Sequence, residues 1–185
     1  MFPICGWTIK GKPALIGFAG KARSGKDTAG AYLVDKYRFV RYSFAQPLKE
    51  GCKQMFNLTD EQIENKEKVI EPWGRSPREL YQLLGTDVAR TIDPNVWIKN
   101  AEMFAKKHPG RSIVITDVRF SNEAKWIRDK GGIVVYLKSK TRGIHEGTGH
   151  SSENGLNGED VDVYIENDST INVLYEKIES LKGSP

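Results

Sequence analysis

The chain has 185 residues, 38% hydrophobic and 28% charged, with 4 Trp, 7 Tyr and 7 Phe spread along it, which suits one folded domain and excludes a disordered chain. No apolar run approaches the roughly 20 residues of a membrane span, the start carries no leader pattern, and Cys5 and Cys52 are too few for a disulfide framework, so a soluble cytoplasmic protein is expected. The net charge of +4 is compatible with nucleic acid or with a small polyanion and does not separate them.

The first predicted strand is "ALIGFA" (14–19), followed directly by Gly20-x-x-x-x-Gly25-Lys26 and then by a helix from Gly25 to Tyr37. Strand, glycine loop and helix in that order form a phosphate-binding constellation. Glycines let several backbone N–H groups face one point, the helix N-terminus adds its positive end, and Lys26 adds a point charge. Lys21 and Arg23 add positive charge, and Ser24 completes the loop. Asp27 stands where such loops place a magnesium-binding serine or threonine. A carboxylate can hold magnesium directly or through its water, and Thr28 offers a hydroxyl one position later, so both are metal candidates.

A second strand, "FVRYSF" (39–44), precedes helices at Gln46–Phe56 and, shorter, at Thr59-Asp60-Glu61-Gln62. Ser76-Pro77-Arg78-Glu79 is a capping box that opens a helix running to about Arg90. The stretch 73–97 sets Arg75, Arg78 and Arg90 among Trp73, Tyr81 and Trp97, a composition suited to a planar base between aromatic faces with guanidinium forks on a phosphate. It equally suits an amphipathic helix with solvated arginines. Arg78 and Arg90 lie about three turns apart, so a straight helix cannot bring both to one phosphate; Gly85 is the expected place for an interruption.

A helix at Asn95–Lys107 leads to the strand "SIVITDV" (112–118), which places Asp117 at its carboxyl end, where an acid can organise magnesium beside a phosphate loop. A helix at Ser121–Lys130, a strand at 132–138, a strand at 161–167 and a helix at Thr170–Leu181 complete the set. The intervening segment 139–160, rich in Gly, Ser and charge, is expected to be a lid carrying Arg142, His145 and His150; the two histidines match no zinc signature. Apolar strands alternating with helices predict an α/β fold of three layers: a five-stranded parallel sheet of the P-loop NTPase kind, helices on both faces, and that lid. A single domain over 1–185 is expected, with an acceptor region at about 44–97. By itself the loop implies a nucleoside triphosphate and no more.

The segments "GKARSGKDT", "LYQLLGTDVAR", "DPNVW", "TDVRFSNEA", "GGIVVYL", "HSSENGL" and "IENDSTINVLYEKI" together resemble the phage deoxynucleoside monophosphate kinase family over nearly the whole chain from residue 14. The loop ending "SGKD" is also similar to that of phosphomevalonate kinase. The resemblance implies transfer of the γ-phosphoryl of Mg-ATP to a deoxynucleoside monophosphate, a small-molecule acceptor with no stable nucleic acid or membrane partner, and leaves a homodimer open. It implies that Gly20 to Thr28 hold ATP phosphates, that Asp117 and Arg119 sit at the transferring group, and that Asn167 and Asp168 lie near the ATP base; Lys26 of the loop and Arg142 of the lid are the further cations expected to neutralise that group. For the acceptor it implies Gly85, Thr86, Asp87 and Arg90; Phe44, Lys49, Trp73, Arg75, Arg78, Gln82, His150 and Glu153 are the further candidates. Two alternatives stay open on the residues alone: a P-loop kinase for a phosphomevalonate-type or dephospho-coenzyme A-type acceptor, and an ATP-switched nucleic-acid-binding protein.

Overall fold

The computed structural model describes residues 7–9, 11–139 and 156–182. In chain order the elements are β1 (Thr8–Ile9), β2 (Lys12–Pro13), β3 (Leu15–Ala19), α1 (Lys26–Tyr37), β4 (Val40–Tyr42), α2 (Gln46–Met55), α3 (Asp60–Glu64) and α4 (Pro77–Gln82). A π-helical segment over Leu83–Val88 leads into α5 (Ala89–Ile92), α6 (Val96–Lys107), β5 (Ile113–Val118), α7 (Ser121–Asp129), β6 (Ile133–Lys138), β7 (Val163–Glu166) and α8 (Ile171–Glu179). The five predicted strands are β3 to β7. The antiparallel β1–β2 pair was not legible, because two residues per strand are too few for alternation to show.

Strands β3 to β7 form one sheet in the order β4-β5-β3-β6-β7, and every pairing in it is parallel. The strand that feeds the glycine loop is therefore central, between β5 and β6. Parallel strands need crossovers, and the helices that make them cover both faces. On one face Ala29 and Leu33 of α1 and Leu174 and Ile178 of α8 join Ile16, Phe18, Val114, Val135 and Leu137 in a single buried cluster. Gly17, between Ile16 and Phe18, points to the opposite face. There α7 comes so close that a Cβ on Gly17 would lie 2.5 Å from Ile127 Cδ1.

The chain divides into two compact units, one of Met1–Ser43 and Met103–Pro185 that contains the sheet, the other of Phe44–Glu102. The second has its own small core of Cys52, Leu58, Ile70 and Leu80, with Leu48, Phe56, Ile63, Tyr81 and Leu84 against it. Its helix starts follow the sequence. Thr59 Oγ1 accepts from the Gln62 N–H at 3.2 Å while Gln62 Oε1 accepts from the Thr59 N–H at 2.9 Å, and Ser76 and Glu79 make the same reciprocal pair at 3.3 and 2.7 Å. The interruption expected at Gly85 takes the form of a widened turn. The Ala89 N–H reaches back five residues to the Leu84 carbonyl, and the Gly85 carbonyl accepts from Trp97 Nε1 at 3.0 Å.

The first unit closes on itself through Glu179. Its carboxylate accepts from Lys36 Nζ at 2.7 Å and from the Tyr32 and Tyr37 hydroxyls, tying α8 to α1. Burial alone would raise this carboxyl, but the hydrogen bonds from Lys36, Tyr32 and Tyr37 outweigh it and bring it down from 4.5 to about 2. A depressed carboxyl stabilises the fold above its unfolded value, and that contribution fades as pH falls through the folded value. Glu179→Gln is expected to destabilise the protein by about 2 kcal/mol near pH 7 in chemical denaturation. The difference from wild type should shrink as pH drops from 4.5 toward about 2.

Candidate active site

The loop after β3 owes its shape to residues that accept a left-handed backbone. Gly20 has φ 135, Arg23 φ 61 and Gly25 φ 100, and the Ser24 N–H closes a turn on the Lys21 carbonyl at 3.2 Å. Neither glycine has room for a Cβ. At Gly20 it would meet the Leu137 carbonyl oxygen at 2.4 Å, and at Gly25 it would meet Asn167 Nδ2 at 2.4 Å. No side chain caps α1, whose N-cap is Gly25, so the N–H groups of its first turn remain available to a ligand at the positive end of the helix.

Lys26, the first residue of α1, donates to the Gly20 carbonyl at 2.8 Å and to the Lys21 carbonyl at 2.7 Å. Its ammonium is held across the loop. Burial, with the Arg119 guanidinium adding repulsion, lowers its pKa from 10.5 to about 8, against the opposing pull of Asp27 and Asp117. Two cations and two carboxylates from α1 and from β5 and the turn after it thus act on one point. Asp117 accepts from the Ser43 hydroxyl at 2.7 Å. Arg119 is exposed, and its backbone N–H donates to Glu123 Oε2 at 2.9 Å, as does that of Phe120 at 3.2 Å.

Three contributors were not read from the sequence. Glu123, 2% exposed, holds the turn that presents Arg119, yet in sequence it reads as an ordinary acid in the first turn of α7. Arg41 of β4 pairs with the Asp27 carboxylate and donates to Thr116 Oγ1 at 3.1 Å, yet it reads as the outward residue of an alternating strand. Ser43 reads as a turn residue. Only their neighbours in space disclose them.

Asn167 is buried behind the loop, where its Nδ2 donates to the Ser24 carbonyl at 2.9 Å and its N–H to the Lys138 carbonyl at 2.7 Å. Asp168 accepts from the Ser139 hydroxyl at 2.9 Å. Thr28 is half-buried on α1, Lys21 and Arg23 are exposed on the loop, and the buried Ser24 hydroxyl has no hydrogen-bond partner among the described residues.

The predicted acceptor residues Phe44, Lys49, Trp73, Arg75, Arg78, Gln82, Gly85, Thr86, Asp87 and Arg90 all fall in the second unit. Arg75 faces Glu79 at 3.6 Å and Arg78 faces Glu67 at 2.7 Å, while Arg90 donates to the Pro94 carbonyl at 3.1 Å. Thr86 and Asp87 lie on the π segment, and Trp73 Nε1 donates to the Phe56 carbonyl at 3.1 Å. Arg142, His145, His150 and Glu153, with most of the expected lid, lie outside the described residues.

The family model for deoxynucleotide monophosphate kinase matches residues 14–73 and 53–178. The chain belongs to the deoxynucleotide monophosphate kinase family. A putative deoxynucleotide monophosphate kinase of Acanthamoeba polyphaga mimivirus is 37% identical across 89% of this chain and 93% of its own length. The deoxynucleoside-5'-monophosphate kinase of Escherichia phage T5 is 25% identical across 77% of this chain and 84% of its own. Among solved structures, a Thermus thermophilus protein shares the fold, with a TM-score of 0.53 at 16% identity across 92% of this chain and 96% of that one. The glycine loop, the uncapped start of α1 and Lys26 lie together at the end of the central strand. No helix among the described residues is long and apolar enough to cross a membrane.

Because burial and the Arg119 charge hold the Lys26 pKa down to about 8, a polyphosphate bound beside it should raise it. ATP binding is therefore expected to take up protons as pH rises above about 8, and affinity should fall over the same range. Calorimetry in buffers of different ionisation enthalpy measures that uptake directly. Lys26→Met should abolish it.

Proposed function

We propose that the protein transfers the γ-phosphoryl group of ATP to the phosphate of a deoxynucleoside monophosphate, with the loop from Gly20 to Thr28 as the donor grip. The observation that carries this reading is the half-buried Lys26 ammonium, held by the loop carbonyls at the uncapped start of α1 within the field of Arg119. Cations crowded at a helix N-terminus are unfavourable until an anion enters. Family membership supplies the nucleotide chemistry of the acceptor.

The acceptor oxygen is an anionic phosphate oxygen at neutral pH, so no general base is required, and the barrier lies in bringing two polyanions together. Lys26 and Arg119 neutralise the transferring group, and Glu123 fixes the backbone from which Arg119 reaches it. Asn167 keeps the loop from opening by holding the Ser24 carbonyl. For acceptor recognition we assign Gly85, Thr86, Asp87 and Arg90 of the second unit.

Magnesium fits the residues present. Among the described residues no group of three or more His, Cys, Asp and Glu side chains gathers into a metal cage, but magnesium takes only one or two carboxylates and fills its octahedron with water and phosphate oxygens. Asp27 and Asp117 both act on Lys26, and we assign their carboxylates and the Thr28 hydroxyl as the oxygens that would face the ion or its water shell. The ion would supply further charge neutralisation on the phosphate oxygens.

A coupled assay with Mg-ATP over all deoxy- and ribonucleoside monophosphates should show ADP release with one or more deoxynucleotides; activity with none of them would refute the reading. Lys26→Ala should eliminate turnover while circular dichroism stays native. Arg119→Ala should lower kcat by on the order of 10³ and leave ATP affinity nearly unchanged. Parallel losses in both would place Arg119 in ground-state binding instead.

A further inference from the structure

In this chain an acid occupies the loop position that in phosphate-binding loops is normally a neutral hydroxyl. An unscreened carboxylate there repels the triphosphate that the neighbouring lysine attracts. The structure shows how that charge is met. The Arg41 guanidinium pairs with Asp27 and also donates to Thr116 Oγ1 at 3.1 Å, so it bridges the first turn of α1 and β5. Thr116 is itself fixed, because α1 passes so close that a Cβ on Gly30 would lie 2.4 Å from Thr116 Cγ2. Arg41 is thereby anchored at one end to a buried hydroxyl.

Folding stability does not account for this arrangement. The Asp27 and Arg41 side chains are 78% and 43% exposed, and an ion pair so open to water contributes little to the folded state. Beside a polyanion the same pair acts differently, since each uncompensated negative charge near the phosphates weakens binding directly.

We propose that Arg41 is a positioning residue acting through Asp27: it neutralises and orients the Asp27 carboxylate so that an acid can stand beside the nucleotide phosphates without repelling them. This rests on the phosphate-loop reading above. It assigns a function to a strand residue that neither the loop motif nor the predicted acceptor set contains. It also states a dependence: an acid at position 27 requires a cation at position 41.

The test is a double-mutant cycle on ATP affinity, measured calorimetrically in EDTA so that neither metal nor turnover enters. Arg41→Gln is expected to weaken metal-free ATP binding about tenfold. Adding Asp27→Asn to it should restore affinity to within about twofold of wild type, and Arg41→Lys should stay within the same range. A double variant as weak as Arg41→Gln would overturn the proposal, because the lost affinity would then not come from the Asp27 charge. Lys26→Ala, titrated alongside, separates the two readings. Loss of ATP binding there with no rescue at Asp27 defeats this inference alone, whereas undiminished binding in Lys26→Ala defeats the phosphate loop and this inference with it.

Discussion

A lysine ammonium kept partly out of water beside an arginine is the constraint around which the sheet-bearing unit is organised. An isolated buried cation is unfavourable, and here burial and Arg119 together pull the Lys26 pKa to about 8. The surroundings must then be rigid enough to hold the charge in place and polar enough to tolerate it. Carbonyls of Gly20 and Lys21 accept from the ammonium, while Asp27 and Asp117 offset part of its cost. Positive charge is thereby fixed in place at the start of α1, which is the electrostatic form of preorganisation.

The parallel sheet makes this possible by placing loops from separate parts of the chain at one edge. With β3 central, the glycine loop has the end of β5 on one side and the end of β6 on the other. Asp117 and Arg119 arrive from β5 and the turn beyond it. The Leu137 carbonyl of β6 crowds Gly20, and Asn167, just past β7, crowds Gly25. Each glycine is therefore required twice, once for its backbone angle and once for the lack of space above it.

Much of this was legible in the sequence, for identifiable reasons. The five strands showed as β-branched or aromatic runs because both faces of a parallel sheet are buried, and the helix starts at Thr59, Ser76 and Thr170 showed because capping is local chemistry. The glycine loop showed because its spacing is itself the mechanism. What stayed hidden depends on distant partners: Arg41 and Glu123 look like unremarkable charged residues until Asp27 and the Arg119 backbone are placed beside them. The π segment was hidden differently. "LLGTDV" has ordinary helical composition, and its widening follows from Trp97 taking the Gly85 carbonyl and from Leu48 lying 2.4 Å from where a Gly85 Cβ would be.

The hydrogen bond from Asn167 to the Ser24 carbonyl spans 143 positions of the chain. During synthesis the glycine loop emerges 143 positions ahead of its brace. A nascent chain that has finished α1 holds the complete loop sequence without the support behind it. The backing of the loop is thus a property of the assembled sheet, in place only once β7 has been added beside β6.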